Sequence, residues 1–376
     1  MSLFETLERP DPTEWLLAAE EPAARWIALT RLLGIAEDTP KAAAAREAVV
    51  RDPGTHALIA LLPDWETAAE VSGHDRPLLA TNLLDLLGEM GVREADDPRI
   101  GRLLDQMLAH ADESGRFQMC GFERGGDTPR WGALLCDTHA IADVLLRFGR
   151  GEDPRVRRAL DAAVADLAKT DQGLAWPCRP ATGGSWRGPG RASDCCPQTT
   201  LEALRAFSWL PADERPPVLA EVAHTSLDVW RSRATRKPYL FGHGRQFKQV
   251  KWPPTWYGAY EVVDTFGRLR AVWSGPDART EDRHSLAEIA ACLLEYNVSL
   301  DGTVTPLSAF KGFEAYSFGQ KKQPSAVATA LVWAALMRLE PIAEEIASVD
   351  VRALDSSKGG SGTPMPPKVA GGSATA

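Results

Sequence analysis

Five of the six cysteines fall between Gly115 and Thr200: Cys120, Cys136, Cys178, Cys195 and Cys196. His139 follows Cys136 by three residues, and Asp137 stands between them. Thiolate, imidazole and carboxylate are the side-chain types that zinc takes. Asp137, His139 and a thiolate from Cys195 or Cys196 would leave an open position for a catalytic zinc that activates a thiol or a water. Cys136, Cys120 and Cys178 are reserve ligands. The groups open helical patterns, and a helix N-terminus favours the thiolate form. No Cys-x-x-Cys pair is present, so the spacing admits a second account, in which the cysteines are small buried apolar residues and His139 is a helix-cap histidine.

Two glycine-rich stretches, WRGPGR and FGHGRQFKQVKWP, carry Arg187, Arg191, Arg245, Lys248 and Lys251, and Lys321 and Lys322 add to them. Glycine lets backbone approach a ligand closely. Such a set would hold a diphosphate or carboxylate through charge-assisted hydrogen bonds. The alternative is solvated loops whose charges pair with nearby Asp and Glu. Among the loop aromatics, Trp252, Trp256 and Tyr257 are the candidates for an apolar pocket, where aromatic faces also stabilise carbocations. His243, between Gly242 and Gly244, is a proton-transfer candidate beside Asp137 and His139, and equally a turn residue. No Ser-His-Asp arrangement or phosphate loop is evident.

The elements that must position these groups are helical. Apolar residues recur at helical spacing through residues 1–75, with a stop at Gly34. From residue 76 a unit recurs: Asp97-Pro98-Arg99 to Gly115, Asp153-Pro154-Arg155 to Gly173, and Asp282-Arg283 to Gly302. Aspartate caps a helix, proline occupies its first turn and glycine ends it. Further helices are expected over 197–210, 216–232, 254–270, 286–297 and 324–340, and strand patterns are nearly absent. A helix pair cannot bury its apolar faces alone, so neighbours must stack or close into a ring. The expected fold is an all-α, α/α toroid over residues 76–345, with long Gly-rich loops at one end. A 1–75 helical segment packs on it, and residues 356–376 form a disordered tail of Gly, Ser, Pro and Ala.

A net charge of −9 argues against nucleic acid as a default partner. No apolar run of about 18 residues indicates a membrane span. The first residues lack a basic-then-apolar signal pattern, so a cytoplasmic location is expected, where clustered cysteines are more often thiols or metal ligands than disulfides.

The segment GGSWRGPGRASD, Gly183–Asp194, reads Gly-Gly, four residues, Pro-Gly-Arg, two residues, Asp, and opens an apolar helix. It resembles a loop in the β subunits of protein prenyltransferases, α/α toroids related to the squalene and terpene cyclases. In that family the loop leads into an inner helix whose first turn carries a zinc-binding histidine. The preceding unit, GRFQMC followed by Asp137-Thr138-His139, looks like the family's Gly-Phe-Gln loop and Asp-x-Cys helix start. On that resemblance Asp137 matches a zinc-binding aspartate, and His139 sits where the zinc-binding cysteine would. The family histidine falls at Pro197, which cannot bind metal, with Cys195 and Cys196 immediately before it. The cyclase branch uses an Asp-x-Asp-Asp acid. The nearest string here, Glu94-Ala95-Asp96-Asp97, is also the junction at which a repeat helix starts.

The resemblance implies an enzyme that acts on an isoprenoid or other apolar substrate, with or without an anionic head, by prenyl transfer or cyclisation. Protein prenylation itself needs a separate α subunit, which nothing here supplies. The rival reading is a non-catalytic helical-repeat module that holds a protein or lipid partner.

Overall fold

The computed structural model describes residues 2–66, 76–122, 129–180, 190–276 and 278–356. The chain is mostly α-helical, with three two-stranded sheets among the described residues. Arg187 and Trp186 of the glycine-rich loop lie outside those residues, as does the tail from 357.

The main helices are α1 (Pro22–Ile27, continued by a π-helical turn over Ala28–Leu32), α2 (Pro40–Arg51), α3 (Pro53–Ala60), α4 (Ala80–Glu89), α5 (Pro98–Ala109) and α6 (Leu135–Arg147). They continue with α7 (Pro154–Ala165), α8 (Pro197–Ser208), α9 (Leu219–Arg231), α10 (Ala259–Arg268), α11 (Thr280–Asn297) and α12 (Ala326–Met337). The repeat junctions behave as the sequence chemistry requires. Asp97 accepts from the Arg99 N–H at 2.9 Å and Asp153 from the Arg155 N–H at 2.9 Å, each with proline in the first turn. The third copy departs: α11 starts at Thr280, so Asp282 lies inside the first turn and pairs with Arg231 at 2.7 Å. Without a following proline, nothing stops the helix from starting earlier. Gly302 ends that copy with φ +82, and a Cβ there would stand 2.3 Å from the Pro10 carbonyl oxygen.

Two kinds of helix alternate. In α5 and α7 one face is buried and the other is wet, whereas α6, α8 and α12 are buried nearly all round. The all-buried helices are neighbours: α4 packs on α6, α6 on α8, α8 on α10, α10 on α12, and α12 on α1. Arg31, just after α1, pairs with Glu89 at the end of α4, and Trp26 covers Gly91. Helices α7, α9 and α11 lie against α6, α8 and α10 in turn. The N-terminal helices share one continuous apolar core with the rest of the chain. No single helix among the described residues is long and apolar enough to cross a membrane.

Short strands pin the connecting loops. Met119–Phe122 pairs antiparallel with Pro129–Gly132, Ala168–Lys169 with Leu174–Ala175, and Lys251–Trp252 runs parallel to Ser308–Ala309.

Candidate functional site

Helices α6 and α8 deliver their first turns to one seam. Helix α6 brings Cys136, Asp137 and His139, all buried, and the Cys136 thiol stands 3.8 Å from an Asp137 oxygen. Only a protonated Nδ1 can bond a carbonyl, so the 3.2 Å contact from His139 Nδ1 to the Thr199 oxygen sets the tautomer. The other ring nitrogen, Nε2, is buried without a hydrogen-bond partner. Burial holds the imidazole neutral, lowering its pKa to about 4 against a smaller opposing pull from Glu202. Trp176 meets its ring edge-on at 5.2 Å.

The two adjacent cysteines face different surroundings. Cys196 caps α8, and its thiol is brought down to about 7 by a hydrogen bond from Cys178, with Thr199 helping and burial opposing. Cys195 packs with Ala175 and Val229, and burial pushes its thiol far up. The loop motif before them is held by Asp194, which accepts from Gln172 at 3.1 Å and from the N–H groups of Arg191 and Tyr239 at 3.3 Å each. Gln172 in turn accepts the Cys195 N–H at 2.9 Å. That aspartate is a loop clamp.

A polar cleft opens beside this seam, between α4, α8 and α10. It is lined by Asn82, Asp85, Gln198, Glu202, Arg205, Thr255 and Glu261, with Leu201 and Pro254 as its apolar surface. Its enclosed part has room for a water molecule or two, and the mouth is open. Gln198 orders one wall, donating to Glu202 at 2.8 Å and accepting the Tyr257 N–H at 2.6 Å. Glu261 stands in the first turn of α10, where the helix N-terminus favours a carboxylate by roughly 0.3–1 kcal/mol. Burial outweighs that and raises its pKa to about 8, with Arg205 opposing and Asp85 and Asp264 reinforcing. The shift favours the protonated form of this carboxyl over the ordinary carboxylate.

Below the cleft the same helices carry a belt of buried charge. Arg147 bonds Asp85 at 2.6 Å and also Glu89, and Arg205 bonds Asp143 at 2.7 Å and Asp85 at 3.4 Å. Arg268 bonds Asp264 at 2.8 Å and Glu89 at 3.1 Å, while Arg338 bonds Asp264. Burial alone would raise the Glu89 carboxyl, but Arg147, Arg31 and Arg268 hold it well below the usual range. The spacing is helical: His139, Asp143 and Arg147 on α6, Gln198, Glu202 and Arg205 on α8, Glu261, Asp264 and Arg268 on α10.

Among the described residues, the basic residues expected around an anion, Arg191, Arg245, Lys248 and Lys251, do not line this cleft. Arg191 is exposed and stands 3.6 Å from Asp194, Arg245 bonds Gln249 at 2.9 Å, and Lys251 lies over the Phe310 ring at 3.7 Å. Lys248 is buried, with its ammonium 5.3 Å from the Tyr296 ring centre. His243 is buried too, 3.2 Å from the Tyr257 hydroxyl and edge-on to Trp230 and Phe247. Trp252 and Tyr257 are core residues, whereas Trp256 is 43% exposed and stacks on Phe241 at 6.0 Å. Tyr239 and Leu240, just before Phe241 in the chain, are 56% and 52% exposed, and Trp256 directly follows the cleft residues Pro254 and Thr255.

Among the described residues no three His, Cys, Asp or Glu side chains gather as a metal group. Cys195 turns toward α9. The Glu94-Ala95-Asp96 string is a short 3-10 turn whose Asp96 pairs with Arg46 and Glu94 with Arg150. Sequence reading missed Asp85, Gln198, Glu202 and Glu261. The available signal was a charged residue recurring every three or four positions on helices otherwise apolar all round. No family model, curated protein or solved structure matches the chain.

Proposed function

We propose that the chain is an α/α-toroid enzyme of the terpenoid cyclase and prenyltransferase type, which moves a proton in its central cleft. The neighbour order α4, α6, α8, α10, α12, α1, with Arg31 reaching back to Glu89, supports closure of a ring. The observation that carries the chemistry is Glu261, a half-buried carboxyl in the cleft lining with Glu202, whose pKa burial raises to about 8.

The substrate is an isoprenoid or similar apolar molecule. Its body lies on the exposed rim of Tyr239, Leu240 and Trp256, because the cleft admits only a small reacting end. Glu261, as general acid, hands its proton to an epoxide oxygen at that end as the C–O bond opens. The cation so formed faces Glu202, and loss of a proton to that carboxylate completes the reaction.

Incubation with squalene, its epoxide and isoprenoid diphosphates in deuterated water tests this, with products separated by gas chromatography and read by mass. A cyclic alcohol from the epoxide is expected, with turnover falling about 100-fold or more in Glu261→Gln. No product from the parent protein, or equal turnover in the variant, refutes it.

The exposed rim itself favours a second reading, a non-catalytic module that binds a lipid or protein. In that case Trp256→Ala weakens binding, and Glu261→Gln changes nothing measurable.

A further inference from the structure

The two sulfurs at the mouth of α8 are used by neither reading. Cys178 lies on a segment tied down on several sides. The Leu135 N–H reaches the Arg179 carbonyl at 3.3 Å, Leu134 bridges to Pro180, and the Trp176 indole donates to the Ala163 carbonyl at 2.7 Å. The same segment receives the Cys196 N–H on the Trp176 carbonyl at 2.8 Å, and the Trp176 N–H reaches the Thr200 hydroxyl at 3.3 Å. These bonds bring the backbones at 176–178 and 196 together, and the Cys178 thiol hydrogen-bonds the Cys196 sulfur. Cys196 is buried and Cys178 half-buried, so one sulfur is sheltered and its partner opens toward solvent. Cys120 is half-buried on a strand opposite Trp131, and Cys136 and Cys292 are buried on other helices.

We infer that Cys178 and Cys196 form a peroxide-oxidisable dithiol, which closes to an internal disulfide and staples the 174–180 segment to the start of α8. The oxidant is a small peroxide, the size of agent that reaches a sheltered sulfur. The Cys196 thiolate attacks one peroxide oxygen, the O–O bond breaks, and hydroxide leaves, giving a sulfenic acid. Cys178, giving up its proton, then attacks the Cys196 sulfur, and the sulfenic hydroxyl leaves as water with that proton. Two thiols lose two electrons and one peroxide becomes two waters. The product fixes the start of α8, two residues before Gln198, which bonds Glu202 and Tyr257 in the cleft wall. This inference stands apart from the proton-transfer reading, since its test reads sulfur alone.

The experiment uses the reduced full-length protein and hydrogen peroxide. Remaining thiols are alkylated at intervals, and the digest is read by mass spectrometry. The expected result is one linked peptide pair joining Cys178 to Cys196, formed about tenfold or more faster than Cys120 is lost, and reversed by dithiothreitol. In Cys178→Ser the sulfenic acid persists on Cys196 and is trapped by dimedone. The inference is overturned if both thiols stay alkylatable after Cys120 has been consumed, or if the linkage joins a different pair such as Cys195 and Cys178. The parent protein alone decides between these, so a poorly folding variant does not obscure the answer.

Discussion

Replacing Glu261 by glutamine tests the central claim about the cleft without knowledge of a substrate. The side chain lies in the first turn of α10, and burial moves its pKa from an ordinary 4.5 to about 8. A carboxyl with a raised folded pKa binds more protons folded than unfolded between those values. Stability is therefore fully present below about pH 4.5 and falls as pH rises toward about 8. Full transfer of that difference would be on the order of 5 kcal/mol. Solvent at the cleft mouth relaxes part of it, which leaves about 2–3 kcal/mol to be seen. Glutamine stays neutral at every pH and keeps the shape. Urea unfolding of both proteins from pH 4.5 to 8.5 isolates the effect as a difference, since other groups titrate alike in each. The variant should match the parent at the acid end and exceed it by about 2–3 kcal/mol at the alkaline end. A difference that stays flat across that range would show that Glu261 ionises like a surface carboxyl, and the proton-donor assignment would fall with it.

Other outcomes follow from the same physics. Glu89→Gln leaves Arg31, Arg147 and Arg268 short of a buried counter-charge, and equilibrium denaturation should show a loss of about 3–5 kcal/mol. His139 carries the opposite sign to Glu261: its folded pKa of about 4 lies below the ordinary 6.5, so its contribution is present above pH 6.5 and lost on acidification toward 4. Comparison with His139→Gln over that window should expose roughly 3 kcal/mol of acid sensitivity in the parent. Gly302→Ala should lower the melting temperature by the equivalent of at least about 1 kcal/mol, because the added carbon meets the Pro10 carbonyl oxygen at a positive φ. Metal analysis of purified protein should find zinc well below one per chain, unchanged by Asp137→Ala or His139→Ala, given the scattered ligand placements.

The helical character, the capped repeat junctions and the packing of α6 against α8 were legible in residue order, because caps, stops and apolar periodicity act over a few residues. Asp97 and Asp153 behave as their Asp-Pro context requires. Asp282, lacking the proline, shows how the same residue type is freed for a salt bridge with Arg231. The seam drew attention through its cysteines, and it does bring His139 to the Thr199 backbone. Yet Cys195 and Cys196, neighbours in sequence, diverge in space, since successive residues at a helix start point about 100° or more apart.

Sequence by itself therefore marked the helices that an Asp-Pro junction opens and those apolar enough to be buried. It could not tell which polar residues on those buried helices face one another. Asp85, Glu202, Arg205 and Glu261 are separated by up to 176 positions and meet only because α4, α8 and α10 share a wall. Their charge states depend on the water that packing excludes and on the arginines it brings within reach. Those quantities exist only once the chain is folded, and for that reason the cleft, with its proton on Glu261, belongs to the tertiary structure.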